Sequence, residues 1–172
     1  MSNDMSEPRE VRCFDYVTVP YGRVRELLHS DATGIFSRAT ATASNRAREL
    51  MATLRLNVGP MEVGVDVRLQ VSAVTDEVAA FGDPFTRLDF TWQAAQSAGF
   101  FPTMEATLTA YALSPEETHL DLHGRYRPPL GTLGTAIDAT VGHRVAEATL
   151  LRLLRDVRTE IITELGAGPG AG

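Results

Sequence analysis

The chain has 172 residues, a formal net charge of −6, one cysteine and sixteen basic residues, all of them arginine. An acidic chain lacks the basic face that nucleic acid demands, a lone cysteine excludes an intramolecular disulfide, and the absence of lysine removes Schiff-base and phosphate-loop lysine chemistry, both of which need a primary amine. The length suits one domain that buries roughly 70% of its unfolded surface without staples, and no stretch reads as an export signal or reaches the roughly eighteen apolar residues of a membrane span, so a cytoplasmic protein is expected.

In chain order, residues 1–10 are polar and read as a flexible arm. Arg12 to Val19 reads as a first strand ended by Pro20. Tyr21 to His29 carries Val24, Leu27 and Leu28 at helical spacing, with Ser30 and Asp31 as a stop or as the cap of a second helix. Ala32 to Ser44 fits a short helix or a lid loop. From Leu50 the period changes to two, which marks half-buried strands. Leu50, Ala52, Leu54, Leu56 and Val58 alternate with polar or smaller residues, and Val63, Val65, Val67, Leu69 and Val71 do so after Gly59 and Pro60. Thr75 to Phe81 reads as a further short strand before the Gly82-Asp83-Pro84 turn. Leu88, Phe90, Trp92 and Ala94 follow, then Met104 through Ala112 and Leu120 through Tyr126 at even positions. An antiparallel sheet with one apolar and one wet face is the expected result.

Pro128, Pro129, Gly131 and Gly134 then break the strand and permit a tight reversal. A helix follows to Leu165, with Ile137, Val141, Val145, Ala148, Leu151, Leu154, Val157, Ile161 and Leu165 on one face. About thirty residues at 1.5 Å rise give a rod of roughly 45 Å, which needs a long partner surface. Gly166 stops it, and residues 166–172 form a glycine-rich tail expected to be disordered.

The order strand, two helical pieces, about six strands and a long helix resembles the START-like (SRPBCC) superfamily of lipid-transfer, pollen-allergen and polyketide cyclase/dehydrase proteins. The resemblance spans residues 11–165. It is carried by Val17-Thr18-Val19-Pro20-Tyr21 leading into Val24, by Trp92 on a middle strand and by Phe101-Pro102-Thr103-Met104-Glu105. It is carried above all by Tyr126-Arg127-Pro128-Pro129-Leu130-Gly131 before a helix holding Asp138, His143 and Arg144. It implies an α+β helix-grip (Bet v 1/START-like) fold, a curved antiparallel sheet of about six or seven strands wrapped on the C-terminal helix with a cavity between them. The superfamily includes carriers, cyclases, hydrolases and proteins without a known ligand, so the resemblance implies little about activity.

Parity sharpens the site. The inward wall defined by the alternation holds no charged side chain, and its polar handles are the Trp92 indole N–H and the Tyr126 hydroxyl, groups able to orient an apolar ligand. Small inward residues, Ala94, Ala106, Ala110, Ala112 and Gly124, leave volume to fill. The expected function is therefore binding of a hydrophobic small molecule, such as a lipid, polyketide, isoprenoid or aromatic metabolite, without cofactor or metal. The expected lining is Leu54, Val67, Phe90, Trp92, Phe100, Met104, Leu108, Leu122, Tyr126, Ile137, Val141 and Val145. The wall offers no inward carboxylate or imidazole for acid–base work. A cyclase or dehydratase acting on an apolar carbonyl compound is the alternative, and it would draw on Tyr126, His143 or Asp138. A third reading is a protein-interaction module with a filled core. His119, Asp121 and His123 share one strand face that parity makes wet, so a solvated stripe is expected rather than a metal site. His143 and Glu147 stand one helical turn apart as a surface pair. His29 suits a helix C-terminus, Gly131 to Gly134 suits a tight turn, and Cys13 has only Arg12 nearby to activate it.

Overall fold

The computed structural model describes residues 8–55, 67–94, 104–126 and 139–166. The elements are β1 (Arg9–Val17), α1 (Tyr21–Arg55), β2 (Val67–Val78), β3 (Pro84–Ala94), β4 (Met104–Ser114), β5 (Glu117–Tyr126) and α2 (Ala139–Gly166). The five strands form one antiparallel sheet in the order β1-β5-β4-β3-β2. Both helices lie on its inner face, α2 along β1 and β5 and α1 along β2 and the middle strands, packed against each other. This is the helix-grip arrangement, a curved sheet closed by a long C-terminal helix, with five strands among the described residues rather than six or seven.

Alternation and register agree in β3, β4 and β5. The even positions Leu88, Phe90, Trp92, Met104, Ala106, Leu108, Ala110, Leu120, Leu122 and Tyr126 are all buried. Because the strands are in register, these residues meet in rows across the sheet. One row runs Leu69, Trp92, Met104, Tyr126, Arg9; the next Val71, Phe90, Ala106, Gly124, Val11; the next Val74, Leu88, Leu108, Leu122, Cys13. Directly opposed residues have Cβ atoms about 4.5–5.5 Å apart, so each row is a continuous strip of contact. On β2 the inward parity changes from Val71 to Val74 because the register slips between Val71 and Ala73, the mark of a bulge that inserts one residue.

Several expectations need correction. Ala32 to Ser44 is helical, and α1 continues to Arg55, so Leu50, Ala52 and Leu54 belong to a helix and not to a strand. Arg46-Ala47-Arg48-Glu49-Leu50-Met51-Ala52 are strong helix formers without a β-branched residue, and this outweighs a short apparent alternation. The break foreseen at Ser30 and Asp31 is present as a kink, with Asp31 at φ −144° and ψ 32°. There the Asp31 carboxylate folds over Gly34, where any Cβ would collide with it. Thr75 to Val78 is the end of β2 rather than a strand of its own, and it turns into β3 through Gly82 at φ 94°, with Ala79 and Asp83 hydrogen-bonded at 2.8 Å. β1 begins at Arg9, two residues inside the expected arm. Ala112 is exposed, because the β4–β5 register shifts between Ala112 and Ser114.

Among the described side chains of α2 the buried ones are Leu150, Leu153, Leu154, Val157 and Ile161, while Ala148 is exposed and Leu151 only half-buried. Stepping back from Ile161 by 3.6 residues per turn leads to Val157, then Leu154, then Leu150; the expected stripe drifts off that line toward Leu151 and Ala148. α1 contributes Val24, Leu28, Ile35, Phe36 and Ala39 to the same core. Phe36 tilts against Phe90 with ring centroids 4.8 Å apart. The middle rows of the sheet are thus filled by α1, not by α2 alone.

Candidate functional site

Trp92, Met104 and Tyr126 stand side by side on β3, β4 and β5, in the inner row nearest the ends of β3 and β5 that lead into 95–103 and 127–138. All three are buried. The row behind them is built small, with Ala106 and Gly124 beside Phe90. Into the notch at Gly124 lean the Met104 thioether and Leu150: a Cβ placed on Gly124 would meet Met104 Sδ at 2.8 Å and Leu150 Cδ2 at 3.2 Å. Met104 is unbranched and adaptable, so the group that fills the notch is also the one best able to leave it.

Beyond the uncharged wall that parity defined, the inner face does carry charge. β1 places Arg9 and Asp15 on it, and β2 places Asp76 at its far margin. Arg9 is the register partner of Tyr126, which brings its positive charge beside the Tyr126 hydroxyl. Burial pushes the Tyr126 phenol above its ordinary value; the Arg9 charge and hydrogen bond pull the other way, and the Glu147 carboxylate on α2 pushes up with burial. The phenol is therefore protonated at neutral pH and able to donate to a bound oxygen. Arg9 went unforeseen because a polar stretch masks it, although reading the β1 alternation back from Val17 through Asp15, Cys13 and Val11 reaches it.

A second polar cluster pins α1 to the opposite end of the inner face. Thr86 Oγ1 donates to Asp76 Oδ1 at 2.9 Å, so the Tyr21 hydroxyl, 2.9 Å from Thr86 Oγ1, is the donor in its own bond. Arg25 Nε donates to Asp76 Oδ2 at 2.9 Å, and His29 Nε2 lies 3.0 Å from Oδ1. Arg25 first, then His29, holds the Asp76 carboxyl well below the usual carboxylate range. His29 thus has a partner that sequence alone did not supply.

The outer face is the solvated stripe that parity indicated. Arg12 pairs with Asp121, Arg125 with Glu10 at 3.2 Å, and Arg87 with Asp89 at 3.1 Å. Glu10, Arg12, Arg87 and Asp121 from these pairs line a surface depression together with Thr107, Thr109 and His123. His119 stacks on Phe14 with centroids 5.6 Å apart and is tilted against Tyr111 at 4.8 Å. Among the described residues no group of three His, Cys, Asp or Glu side chains is placed to hold a metal ion. Cys13 is pushed up to about 12 by burial and then by the Asp121 and Asp15 charges, so its thiol is inert at neutral pH.

Of the other expected site residues, Phe90, Leu108 and Leu122 lie in the inner rows, Phe90 against Phe36. Leu54 lies in α1, Val67 in β2, and Val141, His143 and Val145 in α2. Phe100, Ile137 and Asp138 lie outside the described residues, as does the Gly131 to Gly134 turn. Among the described residues no helix is long and apolar enough to cross a membrane.

No family model and no curated relative matches the chain. Solved structures do resemble it. Zhui aromatase/cyclase from Streptomyces sp. R1128 is 18% identical with a TM-score of 0.49, over 96% of this chain and 100% of that one. TTHA0849 from Thermus thermophilus is 15% identical with a TM-score of 0.48, over 91% and 99%. Ara h 8.0201 is 7% identical with a TM-score of 0.40, again over 91% and 99%. The helix-grip description rests on this chain's own strand order and helix placement.

Proposed function

We propose that this chain binds an apolar small molecule against the Trp92–Met104–Tyr126 row, between the sheet and α2. The observation that carries the reading is the pairing of that row with a small-residue row behind it, Ala106 and Gly124, under a movable thioether. Two aromatic side chains with polar tips supply apolar area and orientation together, and displacing Met104 rather than a branched side chain makes room at low strain. Phe90, Leu108 and Leu122 line the deeper wall. A lipid, isoprenoid, polyketide or aromatic metabolite fits this chemistry.

The test is native mass spectrometry of the protein purified from its own source, set against its denatured mass. A retained apolar adduct that disappears in Trp92→Ala supports the reading. An empty protein that gains no thermal stability from a panel of lipids and aromatics contradicts it.

The Arg9–Tyr126 contact favours a second reading, a cyclase- or dehydratase-like activity on an apolar carbonyl compound. The Tyr126 phenol stays protonated at neutral pH, with the Arg9 charge beside it, and can hydrogen-bond a substrate carbonyl. In that case Tyr126→Phe abolishes turnover and spares affinity, whereas in a carrier it weakens affinity only.

A further inference from the structure

We propose that Thr40 on α1 is a ligand-contacting residue of this site, and that its hydroxyl selects apolar molecules carrying an uncharged oxygen, a hydroxyl or a carbonyl, over the bare hydrocarbon. The inference rests on the small-molecule reading above and adds both a residue and the ligand chemistry it favours.

An unpaired hydroxyl is the first part of the argument. Among the described residues the buried polar side chains are Thr40, Thr86 and Thr118. Thr86 Oγ1 donates to Asp76, and Thr118 Oγ1 donates to the Val19 carbonyl at 2.7 Å. Thr40 is 5% exposed, and its Oγ1 has no hydrogen-bond partner among the described residues. A threonine inside a helix can bond the carbonyl four residues back, as Thr159 and Thr163 do at 2.9 and 2.8 Å. Thr40 does not make that bond. A buried hydroxyl left without a partner carries its full desolvation cost, so a ligand oxygen that reaches it meets a group with no protein bond to give up.

Placement is the second part. His29, before the kink of α1 at Asp31, is held at Asp76 near one end of β2, whereas β2 begins at Val67, opposite Ala94, at the other end. The stretch of α1 from Asp31 to Arg55 spans about 36 Å at 1.5 Å per residue, and β2 from Val67 to Asp76 spans about 30 Å, so the second half of α1 is long enough to carry the chain along the inner face toward the Trp92 end. Phe36 marks its course, tilted against Phe90 at 4.8 Å. Thr40 follows Phe36 by one turn on the same helix face, an advance of about 6 Å. Beyond Phe90 the next inward residue of β3 is Trp92, about 6.6 Å further along the strand. The turn carrying Thr40 therefore lies over the Trp92–Met104 row, and the helix face that it shares with Phe36 is the one turned to the sheet.

The test uses 2-naphthol and 2-methylnaphthalene, which share one ring body, exchange a hydroxyl for a methyl and are both uncharged at neutral pH. Each is titrated calorimetrically into the full chain, unaltered and as Thr40→Val and Thr40→Ser. Thr40→Val keeps the branched shape and removes the hydroxyl. It should weaken 2-naphthol at least about fivefold, the scale of one neutral hydrogen bond, and leave 2-methylnaphthalene unchanged. Its unfolding midpoint without ligand should equal or exceed that of the unaltered protein, because no internal bond is lost. Thr40→Ser retains the hydroxyl and should retain 2-naphthol binding. A Thr40→Val effect that is absent, or shared equally by the two probes, overturns the role of Thr40 and leaves the small-molecule site standing. A midpoint that falls in Thr40→Val and is restored in Thr40→Ser also overturns it, since the hydroxyl would then be bonded within the fold. Failure of both probes to bind the unaltered protein overturns the site itself.

Discussion

The inner face carries the same period-two alternation from end to end, yet its two halves are filled in different ways. In the rows through Leu88, Phe90, Leu108 and Leu122, large side chains meet Phe36, Ile35 and Leu28 of α1, and Phe36 closes on Phe90 at 4.8 Å. At the far margin the Asp76, Thr86 and Tyr21 chain of hydrogen bonds ties β2 and β3 to the start of α1. Beside the Trp92–Met104–Tyr126 row stand the small residues Ala106 and Gly124, and among the described side chains the Met104 thioether and Leu150 of α2 meet at Gly124. Among the described side chains, the difference teaches that one apolar face can be packed in two ways, by stiff aromatic and branched groups in one half and by a flexible thioether beside small residues in the other.

Breaking the filled half should have the largest effect. Phe36→Ala removes a fully buried ring and its aromatic partner contact, and such truncations cost about 3–5 kcal/mol. A urea or guanidinium midpoint measurement checks this.

A smaller effect sharpens the far margin. The Asp76 carboxyl is depressed below its unfolded value, chiefly by Arg25 and then His29. Its contribution is therefore fully present above the unfolded value of about 3.9 and is lost as pH falls through the folded one. Asp76→Asn should cost about 1 kcal/mol at neutral pH, the scale of a partly exposed ion pair. The difference from the unaltered protein should shrink steadily as denaturation curves are repeated below about pH 4. A gap that stays constant into strong acid would show that the carboxylate charge is not what holds α1 to β2.

What was legible in the sequence followed from pattern strength. β3, β4 and β5 were legible from Leu88 to Trp92, Met104 to Ala110 and Leu120 to Tyr126 because long polar–apolar alternation admits one inward set, and the pattern failed only at Ala112, where the register shifts. The C-terminal helix was legible in extent, but its buried stripe followed the 3.6 period back from Ile161 to Leu150, where spacings of three or four chosen by eye drift to Leu151 and Ala148. The far half of α1 was not legible, because Leu50, Ala52 and Leu54 alternate by chance within a run of good helix formers. β2 lost its parity at the bulge beside Ser72, which no residue type announced. Of the candidate site, Trp92, Met104 and Tyr126 emerged from parity, whereas Arg9 was hidden in a polar stretch where only its partner on β5 reveals which face it takes.

Trp92 is the only tryptophan in the chain, so its emission reports directly on the row at the centre of this account. The most direct measurement is a titration of Trp92 fluorescence with phenylnaphthylamine, run on the unaltered protein and on Gly124→Val, whose branched side chain occupies the notch between Met104 and Leu150. The account predicts saturable quenching with one site, weakened at least tenfold by Gly124→Val in a protein that still unfolds cooperatively. Unchanged Trp92 emission in the unaltered protein, or quenching that Gly124→Val leaves intact, would contradict a ligand seated against this row.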